Sequence, residues 1–474
     1  MEKKSAWTFY SKMELKKVDA YGKAYMDFLN NGKTERECTD YIINEIEQNG
    51  YQEFEAIMKK KKKLGKGDKV YFCGMNKTLL MFQIGSTPIE EGMNILGAHI
   101  DSPRLDVKQN PLYEEGGFAY LDTHYYGGIK KYQWVTIPLA IHGVVVKKDG
   151  TTVIVNIGEE EEDPVFFISD LLIHLASEQM EKKGNKVIEG EALDVIVGNS
   201  PLVTQEKSGA DKDEQAKKAD EKEAVKKNVL SILKEYYQME EEDFLSAELE
   251  IVPAGKAREA GLDRSMILSY GHDDRVCAYS SYQAMLEVTN AKRTTCCILT
   301  DKEEIGSVGA TGMKSRFFEN SVAELMNAMG CYSELALRRV LANSFMLSSD
   351  VTSGYDPLYA SSFDKKNVAF LGHGFSFCKF TGSRGKSGSN DANAEYLGKI
   401  RKIMDDASVR YQTAELGKVD LGGGGTIAYI MALYGMNVID CGVPVMNMHA
   451  PYEAISKADL YENKKGYIAF LKNA

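Results

Sequence analysis

Two adjacent carboxylates, Glu303 and Glu304, follow an apolar run typical of a β-strand, in the segment TDKEEIGSVGATG. Adjacent glutamates at a strand end can share the work of a hydrolytic reaction. One can bind a metal ion while the other accepts a proton from water held at that metal. Because most Glu-Glu pairs are solvated surface residues, the pair alone does not identify a site. Its meaning depends on which other segments can supply metal ligands.

Four further segments place a His or an Asp where an apolar run gives way to a turn: AHIDSPRLD, GHDDR, SSD and NMHAPYE. Zinc accepts imidazole nitrogen and carboxylate oxygen, and a catalytic zinc site keeps one position for water. One bridging carboxylate would hold two ions spaced for a shared hydroxide. The five candidate metal ligands are His99, Asp273, Glu304, Asp350 and His449.

Three acidic residues next to these ligands are candidates to assist them. Asp101 lies two positions after His99. A metal-bound His usually donates its other ring N–H to a carboxylate, which fixes its tautomer and orientation, so Asp101 is the expected partner. Glu303 is the expected general base that accepts the proton of the attacking water. Asp274, next to Asp273, is a competing ligand or supporting residue.

The order of these segments resembles that of the co-catalytic zinc aminopeptidases. The amino-acid sequences of the segments resemble still more closely the bacterial branch of the aspartyl aminopeptidase and vacuolar aminopeptidase I family. The resemblance rests on AHIDSPRLD, SAELEIVPAGKAREAGLDRSMILSYGHDDRVCAY, TDKEEIGSVGATG and GVPVMNMHAPYEAISKAD, and it extends from Trp7 to the C-terminus. Eukaryotic members typically have Asp-Asn where this chain has Asp273-Asp274, so the role of Asp274 stays open.

The resemblance also implies how the ligands divide between two metal ions. His449 and Glu304 would hold one zinc, and His99 and Asp350 would hold the other. Asp273 would bridge both ions. Cobalt or manganese could take the place of zinc.

His174, in the segment SDLLIHLASE, has two interpretations. On sequence alone a single His without a partner pattern is usually structural. The resemblance implies a catalytic role instead, because family members carry a His in the matching stretch that reaches a neighbouring subunit's active site. Many relatives have a pair of histidines here, and this chain has Asp170 in the other place. We therefore predict that His174 acts across a subunit interface. The remaining histidines are expected to be structural or surface residues: His124, His142, His272 and His373.

The expected activity is that of a metallo-aminopeptidase that removes single N-terminal residues from peptides. Family members prefer either acidic or neutral N-terminal residues. The resemblance puts Lys379, Arg384 and Lys386 beside the substrate, and Lys379 is the candidate to pair with an acidic side chain. Two alternatives are a metal-dependent amidohydrolase of acylated amino acids and a scaffold whose metals only stabilise an assembly. Glu303 argues against the scaffold, because a structural metal site needs no general base.

Strands and helices alternate along the parts of the chain that must position these residues. A helical opening from Ser11 to Gln48, with a break near Asn31, leads to a strand that ends at His99. Later strand-like runs precede Glu303 and Asp350. This alternation predicts an α/β fold with a mixed, mostly parallel sheet flanked by helices. Ligands at the carboxyl ends of strands are where such sheets place their sites.

The long interval between His99 and Asp273 predicts an inserted domain, with strand-like runs at 134–146, 152–157 and 193–197. We expect a discontinuous catalytic domain of residues 1–104 and 255–474 and a β-rich insertion of residues 105–254. The family resemblance implies that the insertion is an oligomerisation domain and that the protein forms a closed homo-oligomer, a dodecamer. The charged stretch 204–227 is assigned no function.

Composition agrees with a soluble cytoplasmic enzyme, and the resemblance implies peptide substrates. A chain of 474 residues exceeds what one hydrophobic core supports. Its net charge of −11 offers no basic surface for nucleic acid. The eight cysteines form no CxxC pair and are typical of buried thiols in a reducing compartment. The longest apolar run, 135–146, is too short to span a membrane, and the N-terminus lacks an apolar signal core.

Overall fold

The structure is a computed structural model that describes residues 4–202, 222–382 and 384–474. The chain divides into two compact units. The first consists of the chain up to Ser102 together with Lys256–Ala474, and the second is Pro103–Gly255. Most of the charged stretch 204–227 lies outside the described residues.

The first unit opens with two helices whose starts are encoded locally. Ser11 and Glu14 form a reciprocal capping box at the first helix, and Thr34 and Glu37 form one at the second. These helices confirm the predicted helical opening and its break. The elements of this segment are α1 (Lys12–Asn31), α2 (Glu35–Gln48), β1 (Gln52–Glu53), α3 (Phe54–Lys59), β2 (Lys69–Gly74), β3 (Thr78–Gln83) and β4 (Met93–His99).

The second unit is built around a six-stranded sheet. Its elements are β5 (Arg104–Glu115), β6 (Phe118–Tyr126), β7 (Leu139–Val146), β8 (Thr152–Ile157), α4 (Ser177–Met180), β9 (Val195–Gly198), α5 (Ala224–Tyr237) and β10 (Ala247–Pro253). The strand order is β8-β7-β10-β5-β6-β9, and every neighbouring pair is antiparallel. The predicted strand 134–146 was too long at its start. It begins only after Pro138, which lacks the N–H that a strand ladder uses.

The rest of the first unit follows the insertion. Its elements are β11 (Arg258–Ala260), β12 (Met266–Ser269), α6 (His272–Glu287), β13 (Thr294–Thr300), α7 (Phe317–Met329), α8 (Glu334–Ala342), β14 (Phe345–Ser349), β15 (Thr352–Ser353), β16 (Phe375–Cys378), α9 (Ala394–Asp406), β17 (Tyr411–Thr413), α10 (Ala428–Ala432), β18 (Asn437–Gly442), β19 (Pro444–Met446), β20 (Glu453–Ser456) and α11 (Lys457–Asn473).

In the described residues, the main sheet of the first unit has nine strands in the order β1-β2-β3-β13-β4-β14-β18-β16-β17. The central strands β13, β4, β14 and β18 run parallel to one another. Strands β3 and β16, on either side of them, pair in the antiparallel sense. The expected mixed, mostly parallel sheet is therefore confirmed.

Helices cover both faces of this sheet. Successive side chains of a strand point to opposite faces, and β13 shows this directly. Cys297 and Leu299 pack in one apolar cluster with α1, α2, α6, α9 and α11, whereas Cys296 and Ile298 pack in another with α3, α7, α8 and α10. Burial on both faces explains why the central strands are almost continuously apolar.

A second sheet of the first unit has five strands, in the order β11-β12-β20-β19-β15. Strand β12 pairs antiparallel with β20, and Ser269 lies opposite Glu453. Strands β19 and β20 are also antiparallel and are joined by residues 447–452. This pairing brings the chain that follows β12, which carries Asp273, next to the β19–β20 loop, which carries His449.

Candidate metal centre

Three neighbouring parallel strands end at the same edge of the main sheet, and each supplies candidate site residues. Strand β4 ends at His99, β14 is followed by Asp350, and β13 is followed by Glu303 and Glu304 in a single 3-10 turn. The order β13-β4-β14 places these three carboxyl ends side by side. Side chains far apart in the sequence therefore meet because parallel strands share an edge.

The other two ligand candidates come from the five-stranded sheet. Asp273 follows β12 in the first turn of α6, where Asp273 and Asp274 have non-helical ψ angles of 106° and 27°. The peptide bond between these two residues is cis. His449 lies in the β19–β20 loop with a left-handed φ of 64°. Because of these backbone angles, the side chains of Asp273 and His449 do not follow the periodicity of a helix or a strand.

The carboxylate of Asp273 lies between the two histidines. Nε2 of His99 is 3.2 Å from its Oδ1, and Nε2 of His449 is 3.2 Å from its Oδ2. Nε2 of His449 is also 3.4 Å from Oε2 of Glu304. Each oxygen of Asp273 thus faces a different histidine, which is the arrangement a bridging ligand needs.

Two groups of possible metal ligands share His99. One is His99, Asp273 and Glu304, and the other is His99, Asp274 and Asp350. In each group the ligand atoms lie within 4.8 Å of one another. The second group contains Asp274, so the structure retains this residue as a competitor for a ligand position beside Asp350.

The buried acidic residues of this cluster perturb one another. Burial and the charge of Asp273 raise the pKa of Glu304 and Asp350 well above the ordinary range, and they raise the pKa of Glu453 to about 8. Burial alone would also raise the pKa of Asp273, but hydrogen bonds from the two histidines hold it below its ordinary value. Bound cations would favour the ionised forms of all these carboxylates.

The donor set fits a pair of divalent ions. Oε1 of Glu304 is buried and has no hydrogen-bond partner among the described residues. A buried polar atom without a partner is costly, and a metal ion would satisfy it. The two imidazole nitrogens and the surrounding carboxylate oxygens are ligand types that zinc accepts.

Asp101 contacts both His99 and the turn that carries the two glutamates. Nδ1 of His99 lies 3.0 Å from the main-chain oxygen of Asp101 and 3.4 Å from its carboxylate Oδ1, so the carbonyl is the closer acceptor. The carboxylate accepts the main-chain N–H of Glu303 at 3.1 Å and of Glu304 at 3.2 Å. Asp101 therefore holds the turn that carries the two glutamates.

The pKa of Glu303 is also raised by its surroundings. Burial, together with the negative charges of Asp101 and Asp273, raises the pKa of Glu303 to about 7. A group whose pKa lies near the working pH can both accept and return a proton.

The structure places His174 on an exposed 3-10 turn, Ile173–Leu175, of the second unit. His174 belongs to neither ligand group. The contacts of the remaining histidines are ordinary: His124 and His373 bond main-chain carbonyls, His142 lies 3.0 Å from Glu159, and His272 bonds Tyr25 and the Ile267 carbonyl.

Of the three cations expected near the substrate, two share one carboxylate. Nζ of Lys379 and Nζ of Lys386 lie 2.9 Å and 2.8 Å from the two oxygens of Asp391. Arg384 has a left-handed φ of 41°. Asp391 thus competes with any acidic substrate group for both lysines.

Sequence reasoning missed Glu453, which is buried and contacts the main chain of two candidate ligands. Its oxygens accept the N–H of Asp273 at 2.9 Å and of His449 at 2.6 Å. The only available signal was its place four residues after His449 in NMHAPYE, and that signal does not say where the side chain points.

Comparison with known proteins identifies the family of the chain. A family model described as the aminopeptidase I zinc metalloprotease family, M18, matches residues 28–471. The probable M18 family aminopeptidase 1 of Clostridium acetobutylicum is 59% identical over 472 residues, which cover 100% of this chain and 98% of the relative.

Solved structures share the whole fold. The M18 family aminopeptidase from Thermotoga maritima has a TM-score of 0.92 and 42% identity, with 100% of each chain covered. The dodecamer of S. cerevisiae mApe1 has a TM-score of 0.75 over 96% of this chain and 97% of that chain. At 19% identity this second likeness concerns the fold alone. Among the described residues, every helix is too short or too polar to cross a membrane. The predicted family is confirmed: the chain belongs to the M18 family of zinc metalloproteases and is an aminopeptidase.

Proposed function

We propose that the chain removes the N-terminal residue of peptides at a centre of two zinc ions bridged by Asp273. The observation that supports this most strongly is the position of the Asp273 carboxylate, whose oxygens lie 3.2 Å from Nε2 of His99 and 3.2 Å from Nε2 of His449. Glu304 would bind the same ion as His449, and Asp350 would bind the same ion as His99. Bound zinc would supply Lewis acidity and lower the pKa of water toward neutrality.

Glu303 moves the proton in this proposal. Its carboxylate accepts a proton from the attacking water and then delivers it to the amine that leaves when the peptide bond breaks. Burial and the neighbouring acidic charges raise the pKa of this carboxylate, which favours its taking up a proton. Asp101 holds the main chain of Glu303 in place, which keeps the base at a constant distance from the bond that is cleaved.

We further propose that the second unit assembles subunits into a closed homo-oligomer, a dodecamer, in which His174 reaches the active site of a neighbour. Large apolar side chains are exposed on either side of His174 in this unit. Ile173 is 70% exposed and Leu175 is 68% exposed. Exposed apolar residues at this density favour a protein contact.

An acidic or a neutral N-terminal residue is the proposed substrate group. An acidic side chain would have to displace Asp391 from Lys379 or Lys386, because both lysines already pair with it. Neutral residues require no such exchange.

The experiment that tests this function is a profile of aminoacyl substrates with zinc, cobalt or manganese added back to stripped enzyme. We expect cleavage of substrates with a free α-amine and none of their N-acylated forms. Cleavage of the acylated forms alone would instead indicate an amidohydrolase of acylated amino acids. If Lys379 binds an acidic N-terminal side chain, cleavage after Asp or Glu should fall more than cleavage after Leu in Lys379→Ala, with Lys386→Ala as the matched control for the shared Asp391.

A further inference from the structure

Glu453 is the first residue of β20, and its side chain is buried against the candidate metal centre with 1% of the residue exposed. Its Oε2 accepts the main-chain N–H of Asp273 at 2.9 Å. Its Oε1 accepts the main-chain N–H of His449 at 2.6 Å. One carboxylate therefore binds two segments of the chain, and each segment carries one of the proposed ligands.

Neither Asp273 nor His449 has the backbone angles of a regular helix or strand. Asp273 has a non-helical ψ of 106° at the start of α6. His449 lies in a loop with a φ of 64°, and its side chain is 33% exposed. Strand pairing fixes β20 relative to β12, because Glu453 lies opposite Ser269. The hydrogen bonds of Glu453 also connect Asp273, which lies beyond the end of β12, with His449, which lies before the start of β20.

We propose that Glu453 is a positioning residue that ties the main chains of Asp273 and His449 together and thereby sets the geometry of the metal ligands. The proposal rests on the proposed function, since it takes these two residues as ligands. An ionised or hydrogen-bonded partner behind the ligands commonly tunes metal affinity and activity. Here the two hydrogen bonds of Glu453 go to the main chain of the ligands.

The chemistry of the two hydrogen bonds defines the test. A carboxylate offers an acceptor oxygen to each N–H, whereas a carboxamide offers one acceptor and one NH₂ group. In Glu453→Gln, an NH₂ donor would face a main-chain N–H donor, and one of the two segments would move. The side chain keeps its size, so packing changes little.

The chain offers a matched control. Asp459 is also a fully buried carboxylate of the first unit that accepts two main-chain N–H groups, from Gly372 at 2.7 Å and from Gly374 at 2.6 Å. Neither glycine lies in a segment that contains a proposed metal ligand. Asp459→Asn therefore makes the same chemical change in the same kind of contact, without touching the segments of Asp273 and His449.

The experiment measures zinc affinity by chelator competition, the thermal midpoint of the metal-free protein, and kcat and KM separately. In Glu453→Gln we expect zinc affinity to fall by ~10-fold or more, the usual range for supporting residues, with kcat reduced and KM nearly unchanged. In Asp459→Asn we expect a comparable loss of thermal midpoint with zinc affinity close to that of the wild type. Wild-type zinc affinity in Glu453→Gln, or an equal loss of affinity in Asp459→Asn, would overturn the proposal.

Two further variants keep the result interpretable. If Glu453→Gln does not fold, Glu453→Asp is measured in its place. Its shorter side chain cannot reach both N–H groups, so its zinc affinity should also fall, and wild-type affinity would overturn the proposal. Asp273→Ala tests the underlying ligand assignment in the same assay. If Asp273→Ala binds zinc normally, the proposed ligand set is wrong, whereas normal affinity in the Glu453 variants alone rejects only the positioning role.

Discussion

Nε2 of His99 lies 3.2 Å from Oδ1 of Asp273, although the entire inserted unit separates the two residues in the sequence. The contact arises because His99 ends a central strand of the main sheet while Asp273 follows a strand of the five-stranded sheet. The centre is therefore assembled from the ends of two sheets. Its geometry depends on residues that hold those ends together as well as on the ligands.

Replacing Glu303 by Gln should abolish most of the activity and leave the metal bound. The carboxamide cannot accept the proton of the attacking water, so turnover should fall by at least ~10²-fold, the low end for loss of a general base. Elemental analysis alongside steady-state kinetics checks both statements. Normal turnover with the usual metal content would exclude Glu303 as the base.

Asp274 and Asp350 belong to the same group of possible metal ligands with His99, and a pair of variants separates their roles. If Asp350 binds the metal and Asp274 only supports the site, Asp350→Asn should lose about one ion per chain and Asp274→Asn should keep the full complement. Metal analysis of the two purified variants decides the matter. The opposite pattern would assign the ligand position to Asp274.

The assembly proposal predicts activity shared between subunits. His174→Ala and Glu303→Gln variants should each be nearly inactive alone. Mixed and allowed to exchange subunits, they should regain part of the activity, since some sites then combine an intact Glu303 with a neighbour's His174. Light scattering should show a large oligomer throughout. A fully active monomer, or mixing without any gain, would contradict a role of His174 across the interface.

Asp440 predicts a pH dependence of stability away from the metal centre. Burial raises the pKa of this carboxyl to about 7, and Thr426 Oγ1 donates a hydrogen bond to it at 2.5 Å. An acid whose pKa is raised by folding contributes stability below its ordinary pKa near ~4, and this contribution is lost as the pH rises through the folded value. The loss amounts to on the order of a few kcal/mol by pH 8.

The substitution Asp440→Asn removes this titration and keeps an acceptor for Thr426. Between pH 5 and pH 8 the thermal midpoint of the wild type should therefore fall more than that of the variant. The exposed Asp406, replaced by Asn, serves as the control and should behave like the wild type. Equal falls in wild type and Asp440→Asn would show that Asp440 does not titrate in this range.

Much of the α/β unit could be predicted because its signals are local. The capping boxes that begin at Ser11 and Thr34 mark helix starts, and the apolar run before Glu303 is a buried strand of the kind that periodicity detects. The helix that follows the GGGG segment forms only over Ala428–Ala432. The preceding GGGG segment has poor helix propensity and does not extend it.

Most supporting contacts of the site could not be predicted. Asp101 was expected to pair with the imidazole two residues earlier, and its carboxylate lies 3.4 Å from that ring. It also accepts N–H groups of Glu303 and Glu304 at another strand end, and this second contact was not predicted. Glu453 is one of 69 acidic residues, and its role depends on the pairing of β12 with β20. Such contacts follow from strand order and register, which a single sequence does not specify.

Anomalous diffraction at the zinc edge can locate the two zinc ions that we propose Asp273 bridges. Crystals of the zinc-loaded enzyme should show two peaks, each about 2.0–2.2 Å from a different oxygen of Asp273. One peak should lie near His99 and the other near His449. A single peak, or two peaks of which neither contacts Asp273, would contradict the account.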